Sequence, residues 1–281
     1  MSKDFTKEDI IQNKKAAIKK LNSMMEGFIN DPSGKHLKKA NLIAFWLKGY
    51  VQMLEFEEVF NPTRNIAYKR GNIVKLNFGF NIGAEYGGLH YAIVLDNKND
   101  HRSPVVTVIP LTSVKDTKTI HSSSVELGNE IYRSLKLKYD TISKSLQEDL
   151  DEATEANKAF SVLVPLIESS LKEFKNLETI EEKEKELEQT KIFTDALNKI
   201  KAFSEEKETC IKEQMDYLEK IGQEISHMKE GSIALVNQIS TISKIRIMDP
   251  RTLRGVLAGI SLSEENMEKI NNKVKELYIF Q

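Results

Sequence analysis

A glycine-rich loop in the first half of the chain is surrounded by residue types that can act on a phosphodiester. The loop runs from Gly83 to Gly88, and His90 follows it closely. Cations precede the loop and hydroxyls follow it, at Lys69, Arg70, Thr112 and Ser113. A histidine can transfer a proton near neutral pH, while cations and hydroxyls can hold phosphoryl oxygens. This set is sufficient for phosphodiester chemistry without a metal.

Short strands are predicted on both sides of the loop. Residues 72–78 alternate between apolar and polar types, and residues 91–95 form a short apolar run. A third strand is expected over Val105 to Leu111, after a turn at residues 97–100. These patterns are typical of half-buried and buried strands. Several short strands in close succession indicate a small barrel or a strongly bent sheet.

Helical patterns dominate the rest of the chain. Residues 7–60 carry apolar positions at helical spacing on both sides of a turn at residues 30–34, which predicts a helical hairpin with Trp46 in its core. Residues 130–230 are rich in Glu, Lys and Leu, with a seam of apolar residues from Ile211 to Met228 that is typical of a coiled coil or a long hairpin. Strand character returns at residues 232–247, and a last helix is expected from Ser263 to Tyr278.

The order and spacing of these motifs resemble the MazF/PemK toxin family. The resemblance rests on residues 68–74, the loop 83–88, the strand 91–95 and the sequence Ile109-Pro110-Leu111-Thr112-Ser113, and it extends to residues 232–246. It implies an α+β fold in which a small SH3-like β-barrel is interrupted by a long, coiled-coil-like helical insertion. The predicted organisation is an N-terminal helical hairpin at 1–62, the first part of the barrel at 63–129, the insertion at 130–230, and the second part of the barrel with a C-terminal helix at 231–281.

The resemblance also implies a function and a set of site residues. Proteins of this family are usually dimers that cleave single-stranded RNA without a metal or another cofactor, and an antitoxin holds them inactive. The family's catalytic threonine corresponds to Thr112, and Arg70 is expected to supply charge as a third catalytic residue. RNA-binding residues are expected at Lys69, Glu85, Gly87, Gly88 and Ser113. For Glu85, a role in organising the loop through backbone hydrogen bonds remains open.

One position departs from the family. Where the family has a catalytic arginine, this chain has His90, followed by Tyr91 in place of the usual proline. Arginine keeps its charge and stabilises a phosphorane, whereas histidine can exchange a proton with a 2′-hydroxyl or a leaving 5′-oxygen. His90 is therefore expected to act as a general base or acid. The alternative is a barrel that has lost cleavage and acts as an interaction protein through its coiled-coil arm.

Composition limits the partners and the compartment. Lys plus Arg number 41 and Asp plus Glu number 42, so a nucleic-acid site must be a local patch. The single cysteine, Cys210, cannot form an internal disulfide. No secretory signal or apolar run of about 20 residues is apparent. We therefore expect a cytoplasmic homodimer with a single-stranded RNA substrate, a protein or RNA antitoxin, and no membrane partner. A further hypothesis is that the acidic stretch Glu181 to Glu188 covers the RNA groove in cis.

Overall fold

The computed structural model of the chain describes residues 5–114, 120–173 and 180–279. The side chains of residues 167, 168, 170–190 and 193 lie outside that description, and so do the predicted apolar positions Ile167, Leu171 and Phe174. The acidic side chains of Glu181 to Glu188 also lie outside the described part. Within the described residues, helices combine with an antiparallel sheet, and the predicted α+β class is confirmed.

Two helices precede the sheet, as the sequence predicts. Helix α1 spans Lys7–Ile29 and begins with a capping box in which Thr6 and Asp9 bond each other's backbone amides. Helix α2 spans Leu37–Glu57. Only Ala40 and Ile43 of α2 are buried, whereas α1 buries no residue. Trp46 is half-buried and stacks on Tyr50 of its own helix, and its indole also lies beside Gly79, outside the predicted hairpin.

The strands are β1 (Ile73–Asn77), β2 (Leu89–Val94), β3 (Val105–Ser113), β4 (Ser124–Gly128), β5 (Ser232–Leu235), β6 (Ser240–Ser243) and β7 (Ile247–Asp249). Their order is β4-β5-β3-β2-β1-β7, and β6 pairs with β3 off this path. The first half of β3 pairs with β6, and its last three residues pair with β5. Strand β3 therefore connects two parts of the sheet.

The second half of the sheet differs in detail from the prediction. Strand character was expected over residues 232–247, but a turn of 3₁₀-helix at Val236–Gln238 separates β5 from β6. A second turn of 3₁₀-helix at Lys244–Arg246 interrupts the expected continuation before β7. Strand β4 was not predicted, although Val125 and Leu127 alternate with exposed residues as a half-buried strand requires.

Two long helices connect β4 to β5. Helix α3 spans Glu130–Glu173 and helix α4 spans Ile180–His227. They run antiparallel, because Asp149 of α3 accepts a hydrogen bond from Lys207 of α4 while Tyr139 lies against Gly222. Ile211 and Ile221 of the predicted seam are buried, but Met215 is exposed. The pair forms a long arm whose base packs on the sheet.

The core has one layer on each face of the sheet. On one face, Ile73, Ile93 and Ile109 pack with residues from the base of the arm and with helix α5 (Glu264–Tyr278). On the other face, the alternate residues Val74, Ala92 and Val108 pack around Tyr68 and Ile247. The period of two along each strand produces these two layers. Among the described residues, no helix has both the length and the apolar character needed to cross a membrane.

Candidate active site

Strands β2 and β3 bring His90 and Thr112 to one cleft. Ala92 lies opposite Pro110 and Ile93 opposite Ile109 in this antiparallel pair. This pairing ends at Ala92 and Pro110, and β3 pairs with β5 from Leu111 onward. His90 and Thr112 are each two residues beyond the last pair, so they keep the strand faces of Ala92 and Pro110. Two of the three predicted catalytic residues therefore lie on one face of neighbouring strands.

Tyr86 of the glycine loop contacts both of these residues. Its ring centroid lies 4.6 Å from that of His90, and its hydroxyl donates a hydrogen bond to the Leu111 carbonyl. Burial raises the pKa of Tyr86 to about 12, while a hydrogen bond with the Thr112 side chain opposes this shift. The phenol therefore stays protonated at neutral pH and fixes the ring next to both site residues.

The surroundings of His90 favour its neutral form. Burial lowers the pKa of His90 below the ordinary value of 6.5, and a hydrogen bond with the Gly87 backbone partly opposes the shift. A neutral imidazole has an unprotonated nitrogen that can accept a proton. The site therefore holds a group that can serve as a general base near neutral pH.

A cleft of about 220 Å³ opens beside these strands. His90, Thr112 and Ser113 line one side of it, and the residues that follow α4, including Lys229, line the other. Lys229 is exposed and bonds no other residue in the part of the chain that the structure describes. The cleft therefore combines a base, two hydroxyls and a cation.

Sequence reasoning did not identify Tyr86 or Lys229 as site residues. Tyr86 belongs to the quoted glycine motif, but its contacts with His90 and Thr112 depend on how the loop folds back. Lys229 is separated from Thr112 by the whole helical arm. The pairing of Ser113 with Ser232 brings the end of α4 to the cleft, and the spacing of the two strands in the sequence does not reveal that pairing.

Backbone hydrogen bonds close the glycine loop. The Gly88 amide donates to the Gly79 carbonyl at 2.7 Å, and the Phe78 amide donates to the Gly88 carbonyl at 2.8 Å. A Cβ atom on Gly87 would lie 2.8 Å from the Gly79 carbonyl oxygen, so this position requires glycine. The exposed Glu85 accepts a hydrogen bond from the Ile82 amide at 3.2 Å, which is the loop-organising contact considered from the sequence.

The structure does not bring Arg70 and Lys69 to the cleft. The Arg70 guanidinium donates hydrogen bonds to the Leu95 carbonyl and to Asn271 of α5. Leu95 follows the end of β2 that is opposite to His90, roughly 16 Å away at the usual rise along a strand. Lys69 is exposed at that same end, where its amide donates to Asn72. Both cations are thus separated from His90 by the length of a strand.

An ion pair holds α4 on the sheet next to the cleft. Lys75 of β1 contacts both carboxylate oxygens of Glu224 in α4, at 2.6 and 2.9 Å. The Tyr91 hydroxyl donates to the same carboxylate, and burial is the main cause of the raised pKa of Tyr91. This three-residue cluster positions the end of α4, from which Lys229 reaches the cleft.

A comparison with known protein families found a match for part of the chain. Residues 69–155 match the sequence model of a family described as the PemK-like, MazF-like toxin of type II toxin-antitoxin systems. The matched segment includes the glycine loop, His90 and Thr112, and it ends within α3. A comparison with curated proteins found no match. Residues 69–155, about a third of the chain, are thus similar to the MazF/PemK toxin family.

Proposed function

We propose that the chain is an endoribonuclease toxin that cleaves single-stranded RNA without a metal and is controlled by an antitoxin. The observation that carries the proposal is that His90 and Thr112 line one cleft and that Tyr86 contacts both of them. The family whose model residues 69–155 match consists of toxins that are generally endoribonucleases. Because the family is of type II, the expected antitoxin is a protein.

The proposed reaction is attack of an RNA 2′-hydroxyl on the adjacent phosphate. Neutral His90 accepts the proton of the 2′-hydroxyl as the new O–P bond forms. The bond to the 5′-oxygen then breaks, and the imidazolium returns a proton to that oxygen. The products are a 2′,3′-cyclic phosphate and a free 5′-hydroxyl. Thr112 and Ser113 hold phosphoryl oxygens, and Lys229 offsets the charge of the phosphorane.

The proposal also covers the domain organisation and the oligomeric state. In this proposal the sheet is the family's SH3-like barrel. Helices α3 and α4 are an insertion into that barrel, and α1 and α2 form a hairpin that precedes it. The pairing of β5 with β3 and β4 supports this division, because it joins residues from both sides of the arm in one sheet. The active protein is expected to be a homodimer.

The test is incubation of the purified protein with single-stranded RNA of mixed sequence in EDTA, followed by mapping of the ends. Wild-type protein should leave cyclic phosphates and free 5′-hydroxyls, and His90→Ala should abolish the cuts. The matched control is His121→Ala, because that ring is exposed in the turn before β4. Absence of cleavage by folded wild-type protein would refute the proposal, and so would equal loss in both variants.

A second candidate function is an interaction protein that works through the arm. The distal arm exposes large apolar side chains, among them Val162 at 62%, Ile192 at 63% and Phe203 at 57%. Exposed apolar residues concentrated on one element favour a protein contact. Under this function, removing the distal arm would abolish partner binding while His90→Ala would leave it unchanged. Under the nuclease proposal, His90→Ala abolishes RNA cleavage, whereas removing the distal arm leaves cleavage unchanged.

A further inference from the structure

A second groove lies between helix α2 and the glycine loop. It has a volume of about 570 Å³ and is lined by Leu42, Phe45 and Trp46 of α2 and by loop residues that include Asn81 and Gly88. Trp46 brings the helix close to the sheet, since a Cβ on Gly79 would lie 2.9 Å from the indole Nε1. The glycine at position 79 therefore lets α2 approach the loop and form one wall of the groove.

An aromatic face is exposed in this groove. Phe45 is 70% exposed, although Ala40 and Ile43 of the same helix are buried. Flat apolar rings provide stacking surfaces for nucleobases, because every base has a π-face. Phe45 therefore gives the groove a surface suited to an unpaired base.

Polar groups in the groove can meet the edge of a base. Asn81 donates its Nδ2 to the Tyr86 carbonyl at 2.7 Å. Its Oδ1 accepts no hydrogen bond from any described residue, so it can accept one from an exocyclic amino or ring N–H group of a base. The groove thus combines a stacking surface with a hydrogen-bond acceptor.

The charge of α2 fits a polyanion. Between Leu37 and Leu54 the helix carries Lys38, Lys39 and Lys48 and no acidic residue, whereas the whole chain has a net charge of −1. Lys38 and Lys48 lie seven residues before and three residues after Phe45, which places them on its side of the helix. Neither lysine bonds another residue within the ranges that the structure describes. These cations can neutralise phosphates on both sides of a base stacked on Phe45.

The groove continues into the candidate active site. Gly88 lines the groove, and a Cβ at that position would lie 3.4 Å from Nε2 of His90. Gly88 therefore lies between the groove and His90, so RNA that has a base against Phe45 can extend past Gly88 toward the cleft of His90 and Thr112. We propose that the groove between α2 and the glycine loop binds an unpaired RNA base next to the scissile phosphate. This inference rests on the proposed nuclease function and adds a substrate-binding role for the N-terminal hairpin.

The test uses the chain's single tryptophan, Trp46, which lines the groove. The probe is a short single-stranded oligonucleotide with 2′-O-methyl groups, which removes the attacking hydroxyl and prevents cleavage. Titration should change the Trp46 emission in a saturable way. Phe45→Leu, which keeps apolar volume but removes the ring, should weaken binding about five-fold or more. The control is Phe5→Leu, because Phe5 is 66% exposed and lies outside the groove.

The outcomes separate this inference from the nuclease proposal. Normal cleavage of unmodified RNA, with either no Trp46 response or equal affinities for the two phenylalanine variants, would overturn the base site and leave the nuclease proposal intact. A Phe45-dependent response without cleavage would support the base site and refute the nuclease proposal.

Discussion

The ion pair between Lys75 and Glu224 gives a quantitative test of how firmly the arm is built into the fold. The side chains are only 26% and 17% exposed, and the carboxylate also accepts a hydrogen bond from Tyr91. Glu224→Ala removes both Lys75 contacts and leaves the ammonium and the phenol without this partner. We expect the substitution to lower the free energy of unfolding.

The magnitude follows from the burial of the pair. A hydrogen bond to a charged group contributes roughly 1.5 to 3 kcal/mol, and partial exposure reduces the Coulomb part. Glu224→Ala loses the bonds from both Lys75 and Tyr91, so it should cost about 2 to 4 kcal/mol in total. In a double-mutant cycle with Lys75→Met and Glu224→Gln, the coupling free energy should lie between about 1 and 2 kcal/mol.

The assay is urea denaturation followed by far-UV circular dichroism at low and high salt. The matched control is the pair Lys136 and Asp140 on α3, whose side chains are 49% and 55% exposed. That coupling should be smaller and should decrease with salt, whereas the coupling of Lys75 with Glu224 should persist. A Lys75–Glu224 coupling no larger than the control would show that this cluster does not anchor the arm, and the reasoning would fail.

Three further predictions concern the cleft and the arm. Because burial lowers the pKa of His90, the neutral base persists below pH 6.5. In a profile of kcat/KM against pH, the decline on the acidic side should have its midpoint below pH 6.5, and this decline should be absent in His90→Arg. An unchanged decline in the variant would contradict the assignment of His90 as the base. Tyr86→Phe should lower kcat about ten-fold with little change in KM, because the hydroxyl positions Thr112. It should also lower the free energy of unfolding in urea by about 1 kcal/mol. A change confined to KM would refute this positioning role. Replacing residues 153–206 by a short Gly-Ser loop should leave the urea midpoint and RNA cleavage nearly unchanged. The ion pair of Lys207 with Glu152, at 3.7 Å, shows that the two ends of the replaced segment lie close together. An unfolded product would contradict this prediction.

The sequence predicted the elements of the fold better than their pairing. The alternation around β1 and the apolar runs of β2 and β3 are local signals, and these strands form near the expected residues. The two turns of 3₁₀-helix near β6 were missed because Val236 and Ile245 are apolar and buried, as strand residues would be. Periodicity cannot separate a buried turn from a buried strand over such short stretches.

The candidate site was predictable only in part for the same reason. His90 and Thr112 follow from family motifs, and the pairing of neighbouring strands β2 and β3 brings them to one cleft. Arg70 was assigned to the site because it lies near the glycine loop in the sequence, yet the direction of β1 and β2 carries it to the far end of the strand. Lys229 depends on the pairing of β3 with β5 across the arm, which is a long-range contact.

The helical arm also has a consequence for how the chain folds. Strand β4 ends at Gly128 and its partner β5 begins at Ser232, so their pairing closes a loop of about a hundred residues. Closing such a loop in a flexible chain costs conformational entropy, which slows non-local strand pairing. An antiparallel helix pair forms through local contacts and returns the chain to its starting point. If α3 and α4 form first, the two strands meet as though a short turn joined them, and the arm guides the order in which the sheet assembles.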